Sequence, residues 1–116
     1  MPINVFDPGE LLAAAPLTAV AMPIGEPVSM VRSASSLLSK GNGRSGAWEC
    51  SPGTWRRQIV SAEFCFFLEG EAIFEPDEGE PVRISAGQGA YFPANSLGTW
   101  HILAPTRKVF VLFEEA

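Results

Sequence analysis

The chain is poor in the residues that most metal and redox sites use. It contains one histidine, two cysteines and one tyrosine among 116 residues. A site built from several imidazoles, or a framework of several disulfides, is therefore excluded. We interpret Cys50 and Cys65 as buried thiols in a reducing environment, because two cysteines without an export signal favour that reading over a disulfide.

Basic residues and long apolar runs are also scarce. Eight Lys and Arg stand against 13 Asp and Glu, which gives a net charge of −5, and such a chain is poorly suited to binding nucleic acid phosphates. No apolar run approaches the roughly 20 residues that span a bilayer. The apolar stretch 11–22 follows acidic residues and contains Pro16, so it is not typical of a signal peptide. We expect a cytoplasmic protein that binds neither nucleic acid nor membrane.

Turn-forming residues are abundant, with 11 glycines and ten prolines. From residue 47 onward, short segments rich in Trp, Phe, Val and Ile alternate with turn signals about every ten residues. This punctuation is typical of an all-β sandwich or barrel. We predict strands at residues 47–51, 54–60, 63–69, 71–75, 81–84, 89–92, 98–103 and 107–113.

The first 45 residues are less regular. Asp7 and Pro8 predict a short helix that Asp7 caps and that ends before Pro16. Residues 27–31 predict a short strand, and the Ser- and Gly-rich residues 33–46 predict a loop with a helical turn at residues 36–38. We expect a single domain, in which residues 1–45 form an arm and loop packed on a barrel of residues 46–116.

The predicted strand 63–69 has two apolar faces, because alternate side chains of a strand point to opposite sides. One face carries Glu63, Cys65 and Phe67, and the other carries Phe64, Phe66 and Leu68. A barrel interior on one side and a second sheet or subunit on the other would cover both. The pattern places Glu63 inside the barrel or at its mouth, and it favours a homodimer.

Two spacings carry a resemblance to a known family. Six residues separate Glu63 from Gly70, and five separate Gly87 from Pro93. With the flanking segments, the region 46–113 resembles the small single-domain cupins related to ureidoglycine aminohydrolase and ethanolamine-utilisation protein Q. The resemblance implies a double-stranded β-helix, the RmlC-like jelly-roll barrel. The segments that carry it are GAWECSPGTWRR, EFCFFLEGEAIF, AGQGAYFPANSLGTW and TRKVFVLF.

The same resemblance bears on metal binding. Metal-dependent cupins hold a divalent ion with two histidines and a glutamate from the first motif and a histidine from the second. Those histidine positions correspond here to Arg56 and Gln58, or the residues one later, and to Gly98, while the glutamate position is Glu63. Arginine and glycine do not replace imidazole as ligands. We therefore expect no metal ion and no other cofactor.

The single histidine, His101, does not repair the set. If Gly98 faces inward, Trp100 and Ile102 share that face and His101 points outward. We interpret His101 as a residue of the outer sheet face.

Several other side chains are candidates for a site within the barrel. Glu63 is the candidate general base, and Tyr91 is a second catalytic candidate, since a phenol serves as acid or base in metal-free cupin epimerases. Arg56 would form a buried ion pair with Glu63 or hold an anionic ligand by a two-pronged hydrogen bond, with Arg57 on the opposite face. The candidate ligand-binding residues are Trp48, Arg56, Gln58, Cys65 and Trp100. Core packing explains the aromatic residues and the cysteine equally well.

Three functions remain open at this stage. The first is a metal-independent cupin that binds a small polar or carboxylate metabolite in the barrel. The second is a metabolic enzyme, resembling an aminohydrolase or isomerase, with Glu63 as general base. The third is a structural or accessory protein whose barrel is packed shut.

Overall fold

The computed structural model of the protein describes residues 3–40 and 43–113. One helix, α1 (Pro8–Ala13), precedes eight strands in these ranges. The strands are β1 (Thr18–Ala19), β2 (Met30–Lys40), β3 (Gly43–Cys50), β4 (Gly53–Ile59), β5 (Ala62–Pro76), β6 (Val82–Ser85), β7 (Gly89–Phe92) and β8 (Ser96–Phe113). The prediction of an all-β chain with one short helix is confirmed.

Helix α1 begins as the sequence predicts. The Asp7 carboxylate accepts a hydrogen bond from the backbone N–H of Glu10 at 3.1 Å, and Pro8 occupies the first turn. Leu12 is its one buried side chain and fixes the helix against the sheet.

In the part of the chain that the structure describes, no helix is long and apolar enough to cross a membrane.

Strands β5 and β8 form the centre of a single antiparallel sheet. They pair along most of their length, from Ala62 opposite Phe113 to Pro76 opposite Gly98. The first half of β8 also pairs with β4 and the second half with β3, while β6 and β7 pair with β5. This arrangement lets the sheet curl around one core, as in the jelly-roll barrel of a cupin.

The two central strands are longer than predicted. Residues 63–69 and 71–75 belong to one strand, as do residues 98–103 and 107–113. The register between β5 and β8 shifts on both sides of Gly70, whose φ is +100°. A glycine tolerates this conformation, so the strand bends there without ending.

The prediction of a loop at residues 33–46 is wrong for residues 33–40 and 43–46. These residues lie in β2 and β3, which pair with each other from Val31 opposite Cys50 to Lys40 opposite Gly43. Residues 41–42 lie outside the described part of the chain. Serine and glycine have low strand propensity, but here the partner strand supplies the backbone hydrogen bonds and decides the conformation. The boundary expected between residues 45 and 46 falls inside β3, so the amino-terminal region is part of the same sheet.

The alternation predicted along residues 63–68 is present in β5. Glu63, Cys65 and Phe67 face inward and are 6%, 0% and 1% exposed. The outward side chains are about half exposed in the single chain, and they are Phe64, Phe66 and Leu68. Covering of this outer face by a second subunit, and with it the homodimer, stays a prediction.

Candidate functional site

A cavity of about 240 Å³ opens beside Glu63. Strands β2, β3, β4, β5 and β8 contribute its walls. The sequence left open a barrel packed shut around this glutamate, whereas the structure has space there. The residues that line the cavity are Ser33, Arg44, Trp48, Trp55, Arg57, Gln58, Ile59, Val60, Ser61, Glu63, Trp100, Lys108, Phe110 and Leu112.

Strand alternation explains which side chains reach this cavity. In β4, Trp55 and Ile59 are buried, so the residue between them in the inward series is Arg57. In β8, Trp100, Thr106 and Lys108 are all buried on the inward series. Apolar neighbours therefore fix the direction in which the two basic side chains point.

The floor of the cavity is a buried ion pair. Nζ of Lys108 donates a hydrogen bond to Oε2 of Glu63 at 2.6 Å, and the side chains are 6% and 8% exposed. Lys108 pairs with Phe67 and Glu63 with Leu112, so their Cα atoms are about 13 Å apart along the sheet. The two long side chains extend along the barrel interior to meet.

Four aromatic rings surround the ammonium group. Its nitrogen lies 4.7 Å from the ring centroid of Trp48 and 5.8 Å from those of Phe67, Phe92 and Trp100. Ring faces attract a cation, and more strongly where water is excluded. Trp100 also packs edge-on against Phe74 and Phe92, which holds the wall rigid.

The two cysteines are free, buried thiols of the hydrophobic core. Burial raises the pKa of Cys65 to about 12 and that of Cys50 to about 11. The thiol of Cys65 interacts with Glu63 and donates to the carbonyl of Ala90 at 3.6 Å. Both groups are therefore protonated at neutral pH, and neither behaves as a nucleophile. Cys65 is not among the residues that line the cavity.

The expected pairing of Arg56 with Glu63 is wrong. The Arg56 guanidinium donates two hydrogen bonds to Asp77, at 2.6 and 2.8 Å, and one to Thr99 at 3.1 Å. Arg56 lies on the outer face of β4, because Trp55 on the preceding position faces the core. The inward arginine is Arg57, which the sequence analysis placed on the opposite face.

The structure separates Tyr91 from the cavity. Its side chain is 61% exposed and pairs across the sheet with outward-facing Phe64. Tyr91 lines a different and wider groove, beside Phe74 and Leu97. A role for its phenol at Glu63 is therefore wrong. Gln58 does reach the cavity and is exposed at its rim, and Trp48 and Trp100 form part of its wall.

The prediction that His101 lies on the outer sheet face is confirmed. His101 lies on the outer face, where Nε2 is 3.1 Å from the carboxylate of Glu75. Arg107, within β8, donates to Glu49 at 3.0 Å. Lys108, the next residue, points to the other face and joins the cavity instead.

Lys108 and Arg57 are the site residues that sequence reasoning missed. The signal for Arg57 was its place midway between Trp55 and Ile59. The signal for Lys108 was that it lies an even number of residues from the inward-facing Trp100 and Ile102. This alternation extends to Lys108 only if one strand runs through Pro105. The sequence analysis predicted two separate strands there, so the relation was not used.

The cupin metal site does not fit these residues. The inward positions of the first motif hold Arg57 and Ile59, and Lys108 already contacts Glu63. At Gly98, a Cβ atom would overlap the carbonyl oxygen of Glu75 and lie 2.9 Å from the Phe74 ring, so a histidine has no room. Within the described ranges, His, Cys, Asp and Glu form no cluster of three or more that could hold a metal ion.

Comparisons with known proteins agree with the fold. The chain is similar in structure to the EutQ protein of Clostridium difficile, with a TM-score of 0.66 at 18% identity over 74% of this chain and 69% of that one. A Rhizobium leguminosarum protein of unknown function matches with a TM-score of 0.75 at 17% identity, over 99% of this chain and all of that one.

A DUF861 family protein of Thermotoga maritima is 28% identical, with a TM-score of 0.56 over 58% of this chain and 76% of that one. No curated protein sequence matches the chain. The model of the EutQ-like cupin domain matches residues 37–110, which is more than half of the sequence. By that match and by its fold, the chain belongs to the family of EutQ-like cupin domains.

Proposed function

We propose that the protein binds a small organic anion, of the carboxylate class, in the cavity beside Glu63 and without a bound metal ion. The observation that carries this proposal is the charge of the cavity. Among the residues that the structure describes, Arg44, Arg57 and Lys108 line it, and the one acid there, Glu63, is already paired with Lys108, so the proposal depends mainly on Arg57. The protein as a whole carries a net charge of −5, so a cluster of positive charge at this place selects for an anion.

Arg57 is the group best placed to hold a carboxylate. It is exposed at the cavity, and no ion pair joins it to an acid within the residues described. A guanidinium offers a planar pair of donors that matches the two oxygens of a carboxylate. Arg56, by contrast, is already engaged with Asp77.

The remaining walls suit a compact organic body. Trp48, Trp55 and Trp100 supply apolar ring surface, and Lys108 with Glu63 supplies donors and an acceptor at the floor. The volume of about 240 Å³ is below the range of roughly 300–1,000 Å³ typical of drug-sized ligands. The favoured ligand is therefore a small metabolite rather than a nucleotide.

Calorimetric titration tests this proposal with acetate, malonate, succinate and their neutral amides as probes. We expect the acids to bind and the amides not to bind. Arg57→Gln should weaken binding at least about tenfold, because it removes a charge-assisted hydrogen-bonded pair. Arg56→Gln is the matched control and should leave the affinity unchanged. Equal affinities for acids and amides, or equal loss in both variants, would overturn the proposal.

Catalysis by Glu63 is the second candidate, and its short contact with Lys108 favours it. A donor and an acceptor 2.6 Å apart at the floor of a cavity form a path for moving a proton. An isomerase-like reaction of this kind would exchange a carbon-bound proton of a bound acid with solvent. Incorporation of deuterium from D₂O, followed by NMR on malonate, should then be faster with the protein than with Glu63→Gln. Equal rates would remove Glu63 from such a mechanism.

A further inference from the structure

We infer that the ammonium group of Lys108 occupies the cation position of this cupin barrel, so that the protein's own side chain takes the place that a metal ion holds in metal-dependent relatives. Glu63 lies at the glutamate position of the first cupin motif. Its carboxylate contacts Nζ of Lys108 at 2.6 Å. The cation at this position is thus a lysine side chain of the protein and not a bound ion.

The surroundings of Lys108 are those of a receptor for an ammonium ion. A carboxylate lies on one side, and the faces of Trp48, Phe67, Phe92 and Trp100 lie within 5.8 Å of the nitrogen. These groups come from four different strands, β3, β5, β7 and β8. One carboxylate with aromatic rings is the combination that binds alkylammonium ligands, whereas a divalent metal requires several N, O or S ligands.

The same geometry disfavours a metal ion as a co-occupant. Lys108 would bring a positive charge within hydrogen-bonding distance of the oxygen that has to bind the metal. The inward side chains at the histidine positions are a second cation, Arg57, and the apolar Ile59. Lys108, Arg57 and Ile59 therefore all disfavour a metal ion. They favour a site in which the ammonium group of Lys108 replaces a bound metal ion.

Truncation of the Lys108 side chain should show that the site is specific for an ammonium ion. Lys108→Ala deletes three methylene groups and the ammonium group, which together correspond to n-propylammonium. The cavity left beside Glu63 then has the shape and charge to bind that ion. The inference concerns the floor of the cavity, so it does not depend on whether a carboxylate binds at Arg57.

Thermal unfolding of Lys108→Ala in n-propylammonium chloride is the test. At 100 mM we expect the midpoint to rise by about 5 °C relative to sodium chloride of equal concentration, as for a ligand that binds only the native state. Tetramethylammonium chloride, which has no N–H donor for the Glu63 carboxylate, should produce a smaller rise. Neither wild type nor Lys108→Ala/Glu63→Gln should respond to n-propylammonium. Equal responses in all three proteins would overturn the inference.

Two further measurements keep the inference testable if Lys108→Ala folds poorly. Its refolding yield from guanidinium should increase with n-propylammonium and not with sodium, and the absence of any gain counts against the inference. Wild type is also titrated calorimetrically with Mn²⁺, Ni²⁺ and Zn²⁺. Binding of one metal ion per chain that Glu63→Gln abolishes would show that Lys108 does not hold the cation position.

Discussion

Nζ of Lys108 and Oε2 of Glu63 lie 2.6 Å apart in a part of the barrel where each side chain is less than a tenth exposed. Such a pair loses most of its hydration, and its mutual attraction only roughly offsets that loss. Breaking it on one side is different, because one charge then remains buried without a partner. We therefore expect the intact pair to contribute little net stability, although removal of one partner should be costly.

A double-mutant cycle separates these two effects. Lys108→Met or Glu63→Leu alone should lower the free energy of unfolding by about 3–5 kcal/mol, since each leaves an uncompensated charge. The double variant should unfold within about 2 kcal/mol of wild type, because two apolar side chains of similar volume replace the pair. Guanidinium unfolding followed by tryptophan fluorescence measures all four proteins. Additive losses in the double variant would contradict this account.

Gly98 limits what can be placed opposite Arg57. A Cβ atom at Gly98 would overlap the Glu75 carbonyl oxygen and approach the Phe74 ring to 2.9 Å. Gly98→Ala should therefore destabilise the fold by about 1–3 kcal/mol through overpacking, as seen in the midpoint of thermal unfolding. Gly89→Ala is the control, because a Cβ there makes ordinary contacts at 3.5 Å. Similar midpoints for the two variants would show that the strand adjusts at Gly98.

The parts of the site that sequence predicted are those set by local alternation. Glu63, Cys65 and Phe67 were placed on the inward face of one strand, and all three are buried. The same rule placed Trp100 on the face of Gly98 and His101 on the opposite face, with Gly98 inward as the resemblance implies. A period of two along an unbroken strand needs no knowledge of the partner strands, so these positions follow from the sequence.

The parts that sequence did not predict depend on long-range pairing. Whether Arg56 or Arg57 points inward depends on the register of β4 against β8, where Arg57 lies opposite Gly98. Lys108 reaches the site because β8 continues through Pro105, although proline usually marks the end of a strand. The Ser-rich β2 forms because β3 pairs with it. None of these relations is local in sequence.

The thiols of Cys50 and Cys65 should be inert in the native protein. Burial raises their pKa values from 9.0 to about 11 and about 12, so the thiolate fraction of Cys50 falls about a hundredfold below that of a free thiol. Reaction with Ellman's reagent at pH 8 should release no thiolate from the folded protein within an hour. The same protein in guanidinium should release two equivalents.

These raised pKa values also set a pH dependence. Both thiols lose their protons more readily in the unfolded chain, so stability is at its full value below about pH 9 and falls as the pH rises toward 11 and 12. Cys50→Ala/Cys65→Ala should show a shallower decline in its unfolding midpoint over this window than wild type. A decline of equal slope in both proteins would assign the effect to other groups.

Arg56 and Asp77 give a second pH dependence, of opposite sign. The hydrogen bonds from Arg56 hold the pKa of the Asp77 carboxyl below its ordinary value of 3.8. A carboxyl with a depressed pKa stabilises the native state above that ordinary value, and the contribution is lost as the pH falls through the lower native pKa. Asp77 is 41% exposed on its side chain, so solvent screening keeps this contribution small.

NMR titration of the Asp77 carboxyl carbon checks this assignment. In wild type the midpoint should lie below 3.8, and Arg56→Gln should return it to about that value, because the dominant stabilising hydrogen bonds are gone. Arg57→Gln should leave it unchanged, since Arg57 points to the other face of β4. The two adjacent arginines would then have separate effects: Arg56 would act on the pKa of Asp77, and Arg57 would act on anion binding. A shift of the Asp77 midpoint in Arg57→Gln alone would mean that β4 has the opposite orientation.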